Sequence, residues 1–148
     1  MRTFIVLILI ILVSSCSQKN SLTYAERDNA YFQYIKDKAL VNVKKINSFR
    51  FDGWQSLSRK FLIISTSIKR KYLIEVTRDC NNLTYTQQLI LNQSTNGSLS
   101  ARFDSISSIE DKDSVGCRIQ AIYPLTVEQA KEIVNIGVPT NDEANADS

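Results

Sequence analysis

The sequence predicts a mainly β (α+β) fold: a small antiparallel β-barrel or sandwich of 5–6 strands, with an N-terminal helix and a short C-terminal helix. Two observations carry this. Short β-branched and aromatic runs recur from Ile46 to Tyr123, broken by Gly, Asn, Ser and Asp clusters every ten or so residues. Helical spacing of apolar residues is confined to one stretch before these runs and one after Pro124.

Tyr24, Tyr31, Ile35 and Ala39 recur at helical spacing, so a helix is expected from Tyr24 to about Asn42, its aromatic stripe a packing face. Thr23 is its N-cap and Glu26 completes a capping box. Ile46 to Asp52 alternates partly and is expected to be broken by Gly53 before Trp54. Phe61-Leu62-Ile63-Ile64 suits a strand buried on both faces, and Ser65 to Lys71 is a polar turn. In the next strand Tyr72, Ile74 and Val76 share one face, Leu73, Glu75 and Thr77 the other.

Leu83 to Leu91 is again β-rich, and Asn96-Gly97 is a strong turn signal. A weaker strand covers Leu99 to Phe103, and Asp104 to Ser114 reads as a polar, acidic loop. Cys117 to Tyr123 is the last strand, stopped by Pro124. Thr126 then caps a helix over Val127 to Val134, with Glu128 in the first turn where the helix dipole favours an acid.

Ahead of this domain, Arg2 gives a positive start and Phe4 to Val13 is an unbroken apolar run, the pattern of a secretory signal. The run is half the roughly 20 residues that a spanning helix needs. Val13-Ser14-Ser15-Cys16 resembles the bacterial lipobox, which implies a diacylglyceryl thioether on Cys16, cleavage before it and acylation of the new amino group. By the same resemblance Ser17, rather than Asp, implies an outer-membrane address with the domain facing the periplasm. The expected organisation is a signal over 1–15, a lipidated cysteine and tether over 16–23, one domain over 24–136 and a disordered acidic tail over 137–148.

The net charge of +3 gives no case for nucleic acid, and the envelope address argues against it. The charge is unevenly spread. Lys36 to Arg78 holds eleven basic residues against Asp37, Asp52 and Glu75, whereas Asp79 to Ser148 holds ten acidic ones against four basic. Such asymmetry can steer an anionic partner. With Cys16 taken by lipid, Cys80 and Cys117 remain, and an even remainder in an oxidising compartment reads as one structural disulfide, worth about 3.5–4 kcal/mol on the chain-entropy model.

Trp54 after Gly53, the Tyr72-Leu73-Ile74 strand, Cys80-Asn81-Asn82-Leu83 and Cys117-Arg118-Ile119 with Ile122 resemble domain-of-unknown-function family 6491, a group of small bacterial envelope proteins. The likeness covers roughly Ile46 to Tyr123 and implies a compact secreted β-rich domain with one disulfide; it implies no activity.

The chain has no histidine, which removes Ser–His–Asp and Cys–His machinery and the commonest zinc ligand. No catalytic residue, metal or cofactor is therefore assigned. Asp104, Glu110, Asp111 and Asp113 could in principle bind Ca²⁺, but they lack EF-hand spacing and read as a solvated loop. Lys69-Arg70-Lys71 at a hairpin tip and the lone Trp54 are the candidate partner contacts. The expected function is that of a non-catalytic envelope lipoprotein, held to the membrane by its lipid and binding another envelope component, such as an envelope protein. The alternative is a module for a small molecule, glycan or metal.

Overall fold

A computed structural model describes residues 22–109 and 116–136. The signal, Cys16, Glu110, Asp111, Asp113 and the 137–148 tail lie outside the described residues.

Helix α1 (Tyr24–Asp37) opens as expected: the Thr23 hydroxyl accepts from the Glu26 N–H, and the Glu26 carboxylate accepts from the Thr23 N–H at 2.7 Å. It buries Tyr31 edge-to-face on Phe61 at 5.4 Å, with Phe32 on the same ring at 5.0 Å. The helix ends at Asp37, short of the expected Asn42. Leu40 N–H reaches the Ile35 carbonyl and Ala39 N–H the Lys36 carbonyl, each at 3.0 Å. These bonds make a Schellman cap, with Ala39 at a left-handed φ of 48° where glycine is usual. Leu40 and Ile35 both pack against the outer core beneath the helix end, and that packing overrides the helical spacing of Ala39.

Eight strands follow: β1 (Lys45–Asn47), β2 (Gly53–Ser56), β3 (Phe61–Ser65), β4 (Lys71–Val76), β5 (Leu89–Asn92), β6 (Ser98–Ser100), β7 (Ser105–Ser108) and β8 (Cys117–Leu125), then helix α2 (Val127–Asn135). Six form an antiparallel, nearly closed barrel sheet in the order β2-β3-β4-β8-β7-β5, while β1 pairs with β6. The β1–β6 ladder is tied to β8 by a Val43–Ile122 bridge and by Arg102 N–H on the Ile119 carbonyl at 2.7 Å.

Strand alternation builds two cores. Leu62, Ile64, Ile74 and Val76 point into the barrel, where Ile46, Leu99, Ile106, Ile119 and Ile122 meet them. Phe61, Ile63 and Leu73 point out, under Tyr31 of α1 and Ala130 and Ile133 of α2. The unbroken apolar run of β3 therefore serves both faces, each buried aliphatic side chain contributing about 1.5–3 kcal/mol. Thr126 caps α2 through a box with Gln129, its N–H meeting the Gln129 oxygen at 2.9 Å.

Four local expectations are corrected. Gly53 begins a strand rather than ending one; the break falls at Ser48, whose φ is 52°. Leu83 to Leu91 is strand only from Leu89, because Asn81–Thr84 forms a 3₁₀ turn that buries Leu83. Ser105–Ser108 is strand despite its polarity, since β5 and β8 flank it and satisfy its backbone. β8 runs through Pro124 to Leu125; β7 pairs with it only at Cys117 and Arg118, so one edge at Pro124 needs no ladder donor.

Cys80, just after β4, is bonded to Cys117, the first residue of β8, with Cα atoms 6.3 Å apart. Among the described residues no helix is long and apolar enough to cross a membrane.

Candidate functional site

The sheet's outer face is not covered evenly. Helix α2 packs on β4 and β8, which leaves a strip, β2 and the Ser65 end of β3, open beside it. That strip is a groove of about 530 Å³, floored by Gly53, Gln55 and Ile63, walled by Val127, Ala130 and Val134, with Lys71, Lys131 and Asp52 among its charged residues. The register accounts for the floor: Gly53 opposes Ser65 and Gln55 opposes Ile63, so these four share one face. At Gly53 a Cβ would meet nothing within 4 Å, and the groove is open there.

Next to it, the turn joining β3 to β4 is closed by Thr66 N–H on the Arg70 carbonyl at 3.0 Å and by Arg70 N–H on the Ser67 hydroxyl at 3.2 Å. A second recess, about 550 Å³, lies between this turn and the segment leading into β2; Arg50, Thr66, Lys69 and Arg70 line it. Asp52 lines both recesses, so they adjoin. Ile68 at the turn tip is 85% exposed and Phe51 is exposed beside Asp52. Arg50, Lys69, Arg70 and Lys131 make no ion pair among the described residues.

The residues singled out from sequence fall at this one end of the sheet. Trp54 packs half-buried on the main core opposite Ile64 and also borders the groove. Lys71 borders the groove as well, its ammonium donating to the Ser65 hydroxyl at 3.1 Å. Lys69 and Arg70 line the second recess. Sequence reasoning missed Arg50, Asp52, Gln55 and Lys131. The first three flank Gly53 and Trp54, and that proximity was the available signal; Lys131 depends on where α2 docks.

Asp104 is not part of a solvated loop. It is fully buried, one carboxylate oxygen accepting from the Ser94 N–H at 2.7 Å and the Ser94 hydroxyl at 2.6 Å, the other from the Ser100 N–H at 2.6 Å. Among the described residues no three His, Cys, Asp or Glu side chains gather as metal ligands would. Two other acids lie away from both recesses. Burial raises the carboxyl of Asp28 above the usual range, against the Ser58 hydroxyl that donates to it. Burial also raises that of Glu75, against the Tyr123 hydroxyl at 3.4 Å.

No curated protein and no solved structure matches the chain. One family model does, and it covers residues 1–135, which takes in every helix and strand described above. With nearly the whole chain matched, the chain belongs to the family of unknown function DUF6491.

Proposed function

We propose that this protein is a non-catalytic lipoprotein of the bacterial envelope, anchored at the outer membrane through Cys16, and that it binds an acidic envelope protein at the β2–β3–β4 end of its sheet. The observation that carries the reading is the junction at Asp52 of an apolar groove with a cationic recess. Trp54, Val127 and Val134 supply apolar area to bury; Arg50, Lys69, Arg70, Lys71 and Lys131 supply a field that attracts an anionic surface and fixes its register. The strand β2 adds an edge, because it pairs on one side only, with β3. A non-catalytic role is supported by the chain's lack of histidine, by the bonded Cys80 and Cys117, and by Asp52 being the one acid lining either recess.

The groove volume also lies in the range that holds small ligands, roughly 300–1,000 Å³, which favours the ligand-module alternative as the second reading. Crosslinking in living cells separates the two, with a photoreactive residue placed in turn at Gln55 and Arg70. A discrete protein adduct from both positions supports the proposal. Glycan or small-molecule adducts from Gln55 alone support the second reading, and no adduct from either position overturns both.

A further inference from the structure

The start of α1 carries a second surface, distant in sequence from the groove. Arg59, from the turn between β2 and β3, lies over the Tyr24 ring with its guanidinium carbon 4.9 Å from the centroid. The Tyr24 side chain is hydrogen-bonded to Tyr85, which is 74% exposed at the end of the 3₁₀ turn. Arg27 stands one helical turn along from Tyr24. Neither Arg27 nor Arg59 has an ion pair among the described residues, and the Nε of each finds no acceptor.

The acids nearby are already engaged. Glu26 caps Thr23, Asp28 is buried on the Ser58 hydroxyl, and Asp79 pairs with Lys60 at 3.3 Å. Two half-buried cations, one of them stacked on the Tyr24 ring, and a bonded pair of phenols with Tyr85 exposed thus share one surface, with no ion pair to either cation among the described residues. Tyrosines with an apolar ring and a wet hydroxyl suit a membrane–water interface, and guanidinium groups pair with phosphate geometry.

Chain length decides what such a surface meets. Tyr24 is eight residues beyond Cys16, so the start of α1 can lie at most about 28 Å from the lipidated residue in any orientation of the domain. The rival basic surface, Lys44, Lys45 and Arg102 with Val41 and Phe103 exposed, follows the far end of α1, about 21 Å further along a 14-residue helix. With Cys16 as the anchor, the Tyr24 end is the nearer of the two to the bilayer along the chain.

We infer that the Tyr24–Arg27–Arg59–Tyr85 surface rests on anionic phospholipid headgroups, orienting the domain; this rests on the lipid-anchored reading above. The full chain is recovered from membranes, and its intact mass reports whether Cys16 is acylated, which tests the anchor alone. Acylated chain is placed in vesicles of phosphatidylcholine with or without phosphatidylglycerol, and amide hydrogen exchange is followed. Segments 24–28 and 83–86 are expected to gain protection only on the anionic vesicles, and R27Q/R59Q to abolish that gain while K44Q/K45Q leaves it. Equal protection on both vesicles, a gain confined to 41–45 and 101–103, or a gain surviving R27Q/R59Q overturns the inference. If the mass shows a bare Cys16, the anchor reading fails and the surface is read by sedimentation with anionic vesicles. R27Q/R59Q then lowers affinity about 30-fold if the surface binds headgroups, and no difference from the parent overturns it. Emission from Trp54, half-buried on the main core away from this surface, verifies that each variant is folded.

Discussion

Removing the disulfide should uncouple one side of the barrel before it unfolds the rest. Cys80 and Cys117 are 37 residues apart, and the loop they close holds the 3₁₀ turn, β5, β6 and β7. Within the sheet, among the described residues, this segment is joined to the β2–β3–β4–β8 half by two register pairs, Ser105 with Arg118 and Ile106 with Cys117, and the second coincides with the bridge itself. Beyond those, Ile119 N–H reaches the Asp104 carbonyl at 3.0 Å, Arg102 N–H reaches the Ile119 carbonyl at 2.7 Å, and β6 pairs with β1. On the chain-entropy model, opening a loop of this size gives up about 3.9 kcal/mol. Deleting the Cys80 sulfur, 5% exposed in the main core, adds about 1 kcal/mol. C80A/C117A should thus lose about 5 kcal/mol in guanidinium unfolding, a large share of the 5–15 kcal/mol that holds a domain of this size. By hydrogen exchange, β5 and β7 amides should lose protection first while β3 and β4 keep theirs. A loss below about 1 kcal/mol, or protection falling equally in all strands, would refute both the entropic figure and the weak-junction reasoning.

Ala39→Gly should stabilise the domain by about 1 kcal/mol, read as a higher denaturation midpoint, because φ is 48° there and a Cβ is strained in that conformation. Asp104→Ala should cost about 3 kcal/mol by the same unfolding measurement, since it leaves the buried Ser100 N–H unpaired and removes two further bonds at Ser94; Asp104→Asn should cost less. Asp28 and Glu75 hold their protons to higher pH in the native state than in the unfolded chain. Their contribution is therefore complete below the unfolded carboxyl value near 4 and is lost as pH rises through the raised native values, by at most about 1.4 kcal/mol per pH unit for each group. A urea midpoint measured against pH should show D28N/E75Q flattening that decline.

The elements legible from sequence were those whose signal is local. The Thr23–Glu26 box and the Thr126 cap fix helix starts locally, and the two-faced run of β3 needs both cores. What stayed hidden was decided by distant partners. Ser105–Ser108 has no strand composition, and becomes β7 because β5 and β8 supply its hydrogen bonds. Asp104 looks like one acid among several in a polar stretch, yet donors on Ser94 and Ser100 make its burial tolerable. At the site the same division holds: the Lys69–Lys71 triplet and Trp54 stand out in the chain, while the groove itself exists only because α2 docks on β4 and β8 and stops short of β2.

That docking has a consequence for how a partner would be recognised. Lys131 faces the groove from a helix, Lys71 from β4 and Arg50 from the segment before β2, so the cations surround the apolar strip instead of forming a run. A linear basic motif would bind any polyanion that lies along it. Cations distributed round an apolar strip favour a partner whose acidic groups flank an apolar ridge, since one that lacks the ridge leaves Val127 and Val134 uncovered and one that lacks the acids leaves the cations unpaired. Discrimination at this end of the sheet would then come from geometry set by α2 packing, and substitutions of Ile133 that loosen that packing should lower specificity before they lower stability enough to unfold the domain.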